Sequence, residues 1–166
     1  KKLALLRIWQ ILQKYSDFNH PLTQDEIVEI LDRDYGISIE RKAVSRNLSL
    51  LKEAGIEIES RRTGNYLESR DFEDSELKLL IDAVQSSRFL TEKKSRELIE
   101  KLCNQCSVHD ARLMRRDVLV SGRVKSMNET IYYNVDTIQE AIGENRQISF
   151  RYFDWGMDGS RRYREK

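Results

Sequence analysis

Two groups of residues in this chain have the types and spacing to do chemistry. The first is Cys103-Asn104-Gln105-Cys106, with His109 three residues beyond. A thiol pair at that spacing suits a redox couple or half of a metal site. A four-ligand zinc site needs further donors, and the only other histidine, His20, lies far away in sequence. The thiols follow Leu98, Ile99 and Leu102 in a helical run, so the expectation is two reduced cysteines near a core, with no metal bound. The second group is basic and hydroxylic: Arg41, Lys42, Ser45, Arg46 and Ser49, followed by Arg61, Arg62 and Asn65. Guanidinium groups bond guanine edges and phosphates, and Ser bonds either a base or a phosphate. These side chains are candidates for nucleic-acid contact. No catalysis and no cofactor are implied.

The elements that must position the second group are legible between residues 23 and 67. Thr23-Gln24-Asp25-Glu26 is a capping box ahead of an apolar run, and Ile27, Ile30 and Leu31 give the helix one inner face. Gly36 in Tyr35-Gly36-Ile37 ends that helix, and Ser38 offers a cap for the next. In the second helix Val44, Leu48 and Leu51 recur at i, i+4 and i+7, which sends Lys42, Ser45, Arg46 and Ser49 to the opposite side. Gly55 then permits a turn. Ile56-Glu57-Ile58-Glu59 alternates at strand period, Arg61-Arg62-Thr63-Gly64-Asn65 reads as a loop, and Tyr66-Leu67-Glu68 as the return strand. Helix, short turn, helix and basic hairpin together predict a winged helix-turn-helix, with the second helix in the major groove of double-stranded DNA and the arginines of the wing on phosphate or minor groove.

Composition sets the outer limits. The chain has 166 residues, 39% of them hydrophobic, enough for a real core. Charged residues make up 34%, yet the formal net charge is +1, so nucleic-acid affinity must come from local clustering. No apolar run is long enough for a bilayer, and the start, Lys1-Lys2-Leu3-Ala4-Leu5-Leu6, is helical rather than secretory. A cytoplasmic setting is expected, in keeping with two unpaired thiols. The absence of an initial Met suggests an N-terminus that has been trimmed.

The remaining organisation is coarser. Residues 3–15 form an amphipathic helix with Leu6, Trp9, Ile11 and Leu12 as candidate core, and His20-Pro21 belongs to a loop. Residues 72–107 hold two helices, one with Leu77, Leu80, Ile81 and Val84 inward and one opened by Thr91 with Leu98, Ile99 and Leu102 inward. Arg115-Arg116 reads as a solvated pair. Val118-Leu119-Val120 is a short extended run before Gly122, and a helix with Ile138, Ala141 and Ile142 on one side ends at Gly143. The segment 147–154 alternates at strand period, Gly156-Met157-Asp158-Gly159 is a hairpin turn, and Ser160-Arg161-Arg162-Tyr163-Arg164 returns.

Three phrases then carry a resemblance: Phe72-Glu73-Asp74-Ser75-Glu76-Leu77 leading to Leu80-Ile81-Asp82-Ala83-Val84 and Ser87-Arg88-Phe89-Leu90; Ile131-Tyr132-Tyr133-Asn134-Val135-Asp136; and Ile148-Ser149-Phe150-Arg151-Tyr152-Phe153-Asp154. Behind a winged helix, their order resembles the bacterial WYL-domain transcriptional regulators. The resemblance implies a homodimer and a C-terminal Sm-like β-barrel that senses a small-molecule or nucleic-acid effector. Here that barrel is only begun, and the Trp-Tyr-Leu triplet is absent, so no effector-binding residues carry over. The expected fold is α-rich (α+β): a winged helix over 1–70, a helical connector over 71–145, and the first strands of a β-barrel-type domain over 146–166. The expected function is sequence-specific DNA binding in transcription regulation. Two other readings stand beside it: an interaction module working through the aromatic and Arg-rich C-terminal hairpin, and a thiol oxidoreductase, which lacks the βαβ setting its motif needs.

Overall fold

In the computed structural model, which describes residues 2–116, 125 and 131–163, the chain is α-rich with two small antiparallel sheets. The first part runs α1 (Lys2–Tyr15), α2 (Gln24–Tyr35), α3 (Arg41–Glu53), β1 (Ile58–Arg61) and β2 (Gly64–Leu67). Ala4, Ile8, Ile11 and Leu12 form the buried stripe of α1 at the spacing of a helix face, and Ile8, Ile11 and Leu12 share a core with Ile27, Ile30 and Leu31 of α2 and Val44, Leu48 and Leu51 of α3. Ile58 and Leu67 of the hairpin close this core. Leu6, expected inside, is 46% exposed, because two residues from both Ala4 and Ile8 it falls on the opposite side of the helix.

Local sequence decides the boundaries of α2. Thr23 Oγ1 accepts from the Glu26 amide at 3.2 Å and Glu26 Oε2 accepts from the Thr23 amide at 2.7 Å, the reciprocal cap that the sequence predicts. Gly36 ends the helix in the left-handed conformation (φ 62°), its amide bonding Asp32 O and that of Ile37 bonding Leu31 O. The start of α3 differs from expectation: Ser38 is not its cap. Ile37 and Ile39 alternate onto the core and hold the chain extended, so the helix opens after Glu40, whose side chain makes no capping bond.

The hairpin is tighter than predicted, with β1 beginning two residues later than the expected strand and β2 two residues earlier. Ile58 pairs with Leu67 and Arg61 with Gly64, leaving Arg62-Thr63 as the turn. A second constraint fixes this register. Leu22 runs beside β2 and exchanges backbone bonds with Asn65, at 2.8 Å from the Leu22 amide and 2.7 Å from the Asn65 amide. Gly64 adopts φ 145°, and a Cβ there would stand 2.6 Å from the Leu22 carbonyl carbon. Only glycine fits that approach.

The second part packs α4 (Asp74–Ser86), α5 (Glu92–Cys103) and α6 (Val108–Arg116) around Leu77, Ile81, Ile99, Cys103, Cys106, Ala111 and Met114. Thr91 caps α5 as expected, accepting from the Lys94 amide at 3.1 Å. Leu80, Val84, Leu98 and Leu102 lie shallower than expected. Helix α6 was not foreseen; Ser107 caps it through the Asp110 amide at 3.1 Å. Further on come α7 (Ile131–Gly143) and the short hairpin β3 (Phe153–Trp155) with β4 (Arg161–Tyr163). Ala141 is buried while Ile138 and Ile142 are largely exposed. The turn at 156–159 is as predicted, but β3 is much shorter than the alternation at 147–154 implies, and no barrel is formed among the described residues. The run at 118–120, Gly122 and Arg164 lie outside the described residues.

Gly64 and Gly55 both hold positive φ, yet only Gly64 faces a neighbouring backbone. Gly55→Ala is therefore expected to cost only the conformational strain, about 1–3 kcal/mol, and Gly64→Ala clearly more, because the hairpin must also move away from Leu22. Urea unfolding of the two variants checks the order; equal losses would contradict it.

Candidate nucleic-acid interface

Helix α3 has two distinct sides. Val44, Leu48 and Leu51 are buried, while Arg41, Lys42, Ser45, Arg46 and Ser49 are all exposed, as their spacing predicts. The first turn of α3 contains Arg41 and Lys42 and no acidic residue. Cations at a helix N-terminus oppose the macrodipole, and the Glu40 carboxylate at the N-cap offsets them with negative charge. Part of the compensation comes from α2: Arg41 donates Nε to Gln24 Oε1 at 3.1 Å and faces Asp25 at 3.4 Å. Both partners of that ion pair are well exposed, so it contributes little to stability. Ser49 turns its hydroxyl back onto Ser45 O at 3.3 Å, leaving its lone pairs free to accept. Among the described residues, no hydrogen bond or ion pair engages the side chain of Lys42 or Arg46.

A chain of polar contacts ties the hairpin to this helix. Lys52 Nζ donates to Ser60 Oγ at 2.9 Å, Ser60 Oγ donates to Asn65 Oδ1 at 2.8 Å, and Asn65 Nδ2 donates to Leu22 O at 3.3 Å. Asn65 is buried by these bonds. Its expected place among the DNA-contacting residues is therefore corrected: it is the internal brace of the hairpin, because its strand position turns it toward Ser60 and Leu22. Sequence reading missed this role, since Ser60 and Asn65 meet only through the strand register.

The two arginines also separate. Arg62 occupies the turn and is exposed, but Arg61 is the last residue of β1 rather than part of the loop. Its guanidinium lies over the Phe18 ring at 4.4 Å and the Tyr66 ring at 4.9 Å, two aromatics that meet edge to face at 6.0 Å. Such stacking restricts the side chain while leaving its charge accessible at the surface. Phe18 comes from the turn after α1, a source no local pattern indicates.

The cysteines behave as core residues. Both are buried and free, and Cys106 Sγ donates to Cys103 O at 3.3 Å beside Met114 Sδ at 3.9 Å. Burial raises the Cys103 thiol above its ordinary range and pushes Cys106 up to about 11. A thiol held neutral is a poor nucleophile and a poor metal ligand. His109, three residues beyond, instead stacks its ring on His20.

Comparison with family models, curated proteins and solved structures finds no match. Among the described residues, no helix is long and apolar enough to cross a membrane.

The Cys106 environment has a pH consequence with a definite sign. Below about pH 9 the thiol is neutral in both folded and unfolded chains; above it only the unfolded thiol ionises, so this contribution to stability falls until the folded thiol titrates near about 11. Urea midpoints measured from pH 8 to 11 should drop more steeply in the native chain than in Cys106→Ala. Parallel slopes would show that burial does not hold the thiol neutral.

Proposed function

We propose that this chain is a sequence-specific DNA-binding transcriptional regulator in which α1–α3 and β1–β2 form a winged helix-turn-helix. The observation that carries the reading is the exposed cationic and hydroxylic face of α3, set beside a hairpin with Arg61 and Arg62. In this reading α3 enters the major groove. Arg46 bonds a base edge, Lys42 and Arg41 neutralise phosphates near the start of the helix, and Ser45 and Ser49 accept or donate at the groove wall. The hairpin is the wing, with Arg62 reaching the backbone or minor groove and Arg61 held ready by Phe18 and Tyr66. One winged helix covers a limited stretch of duplex, so a homodimer on paired half-sites supplies the specificity. The resemblance of residues 72–90, 131–136 and 148–154 to WYL-domain regulators extends the proposal to control by an effector through a C-terminal sensing domain.

The competing reading is an interaction module that works through the C-terminal hairpin. What favours it is the exposure of Tyr163 beside Arg161 and Arg162 in β4. The two readings separate on which arginines matter, those of the first part or those of the last.

Selection of bound sequences from random duplex DNA supplies an operator for the tests. On that operator Arg46→Ala should lose on the order of 1–3 kcal/mol and relax the preference at one base pair, whereas Lys42→Ala should weaken all sequences alike. Unchanged binding in both variants would remove α3 from the groove.

The wing is tested by salt. Replacing Arg61 and Arg62 together with Ala should flatten the slope of log affinity against log salt by roughly 1–2 units, since each phosphate contact releases counterions. If slope and affinity both stay as they were, the hairpin faces away from DNA.

A further inference from the structure

The turn after α1, which holds Asp17 and His20, meets the start of α6, which brings His109 to them from far along the sequence. Asp17, His20 and His109 offer one ligand atom each, all within 4.8 Å of one another. His20 Nδ1 stands 2.8 Å from Asp17 Oδ1, and the two imidazoles stack with centroids 3.6 Å apart and planes 8° from parallel. The carboxylate is oriented from behind. Its Oδ1 accepts from the Asn19 and His20 amides at 2.9 Å each, and its Oδ2 accepts from Ser107 Oγ at 2.6 Å.

The same Ser107 hydroxyl also stands 3.0 Å from Asp110 Oδ2. A hydroxyl has one proton, so only one of the two carboxylates receives it and the other oxygen pair meets without a hydrogen. Asp74 adds to the local negative charge: burial first, then Asp110 and Asp17, push its carboxyl up. Lys78 and Arg70 face Asp74 as cations, and Arg70 is committed to the carbonyls of Gln13 and Ser16. The region therefore carries more carboxylate than cation, with two imidazoles at its open edge.

We infer that Asp17, His20 and His109 form a binding site for a divalent transition-metal cation of the zinc type. Two imidazoles and one carboxylate are a borderline donor set that suits Zn²⁺, Co²⁺ or Ni²⁺, whereas Mg²⁺ and Ca²⁺ prefer oxygen alone. Three protein ligands leave the remaining position to water. Stacked rings cannot both aim a nitrogen lone pair at one ion, so His20, 47% exposed at the end of a turn, must rotate to ligate. Ser107 acts as a positioning residue that orients the Asp17 carboxylate. The ligands belong to the turn after the first core and to the helix that closes the second, so the ion joins the two parts. The sequence carries no local signal for this site, because His109 lies next to the cysteines along the chain and meets His20 only in the fold.

The test uses the whole chain and is independent of DNA binding. Titration with Co²⁺, followed by its visible absorption and displaced by Zn²⁺, should show one site per chain, and Zn²⁺ should raise the thermal unfolding midpoint. His20→Ala and His109→Ala should each weaken binding by at least about tenfold, and Ser107→Ala by roughly tenfold, while the Cys103→Ser/Cys106→Ser variant binds as the native chain does. Circular dichroism establishes that the variants are folded, and His20→Gln repeats the loss at an exposed position. Acidification should release the metal, because the ligands bind deprotonated. The inference fails if neither Co²⁺ nor Zn²⁺ binds at about millimolar concentration, if both histidine variants keep native affinity, or if binding disappears only with the cysteines.

Discussion

The end of α1 must be closed inside the molecule, and most of the architecture answers to that requirement. The last carbonyls of a helix have no partner within it, and here they lie where two hydrophobic clusters meet. Arg70 donates to Gln13 O at 2.8 Å and to Ser16 O at 2.7 Å. Ser16, fully buried, donates its hydroxyl to Leu12 O at 2.7 Å and accepts from the Leu67 amide at 3.1 Å. The Arg70 and Leu67 bonds tie distant segments to the helix end. Leaving any one unmade would expose a buried polar group at roughly 1–3 kcal/mol. Burial lowers the Arg70 pKa from its ordinary value, and the nearby Asp110, Asp17 and Asp74 oppose that shift.

From that closure follows the position of everything used at the surface. Asp17 turns the chain through His20 and delivers Leu22 to the edge of β2. Leu22 fixes the hairpin, and the hairpin reaches α3 through Asn65, Ser60 and Lys52. The same turn presents Phe18, on which Arg61 rests. A rigid apolar core thus supports a polar lattice, and the lattice sets the distance between the exposed side of α3 and the basic hairpin. Surfaces that recognise a stiff partner gain from such preorganisation, since less side-chain freedom is lost on contact.

Polar contacts join the two clusters. Besides Arg70, Ser107 reaches Asp17 across the seam at 2.6 Å, and its partners pull that carboxyl below its ordinary range although burial alone would raise it. Directional bonds fix an angle between parts where a greasy contact would allow sliding. They also make the seam responsive to charge.

Sequence alone determined what is decided within a turn or two of chain. The capping box of α2, its glycine stop, the inner stripe of Val44, Leu48 and Leu51, the Thr91 cap and the turn at 156–159 all depend on neighbours three or four residues away, and all are as read. Helix α6 was legible too, from Ser107 as cap and Asp110 in the first turn, but the charged run that follows hid it. Tertiary structure alone decided the start of α3, where packing of Ile37 and Ile39 overrode the Ser38 cap, and it turned Asn65 inward by strand register. It placed Arg61 between aromatics from two segments and laid His109 against His20. Those outcomes depend on where the chain returns after many residues, and hydrophobic periodicity fixes which face of an element turns inward without fixing which distant side chain it will meet.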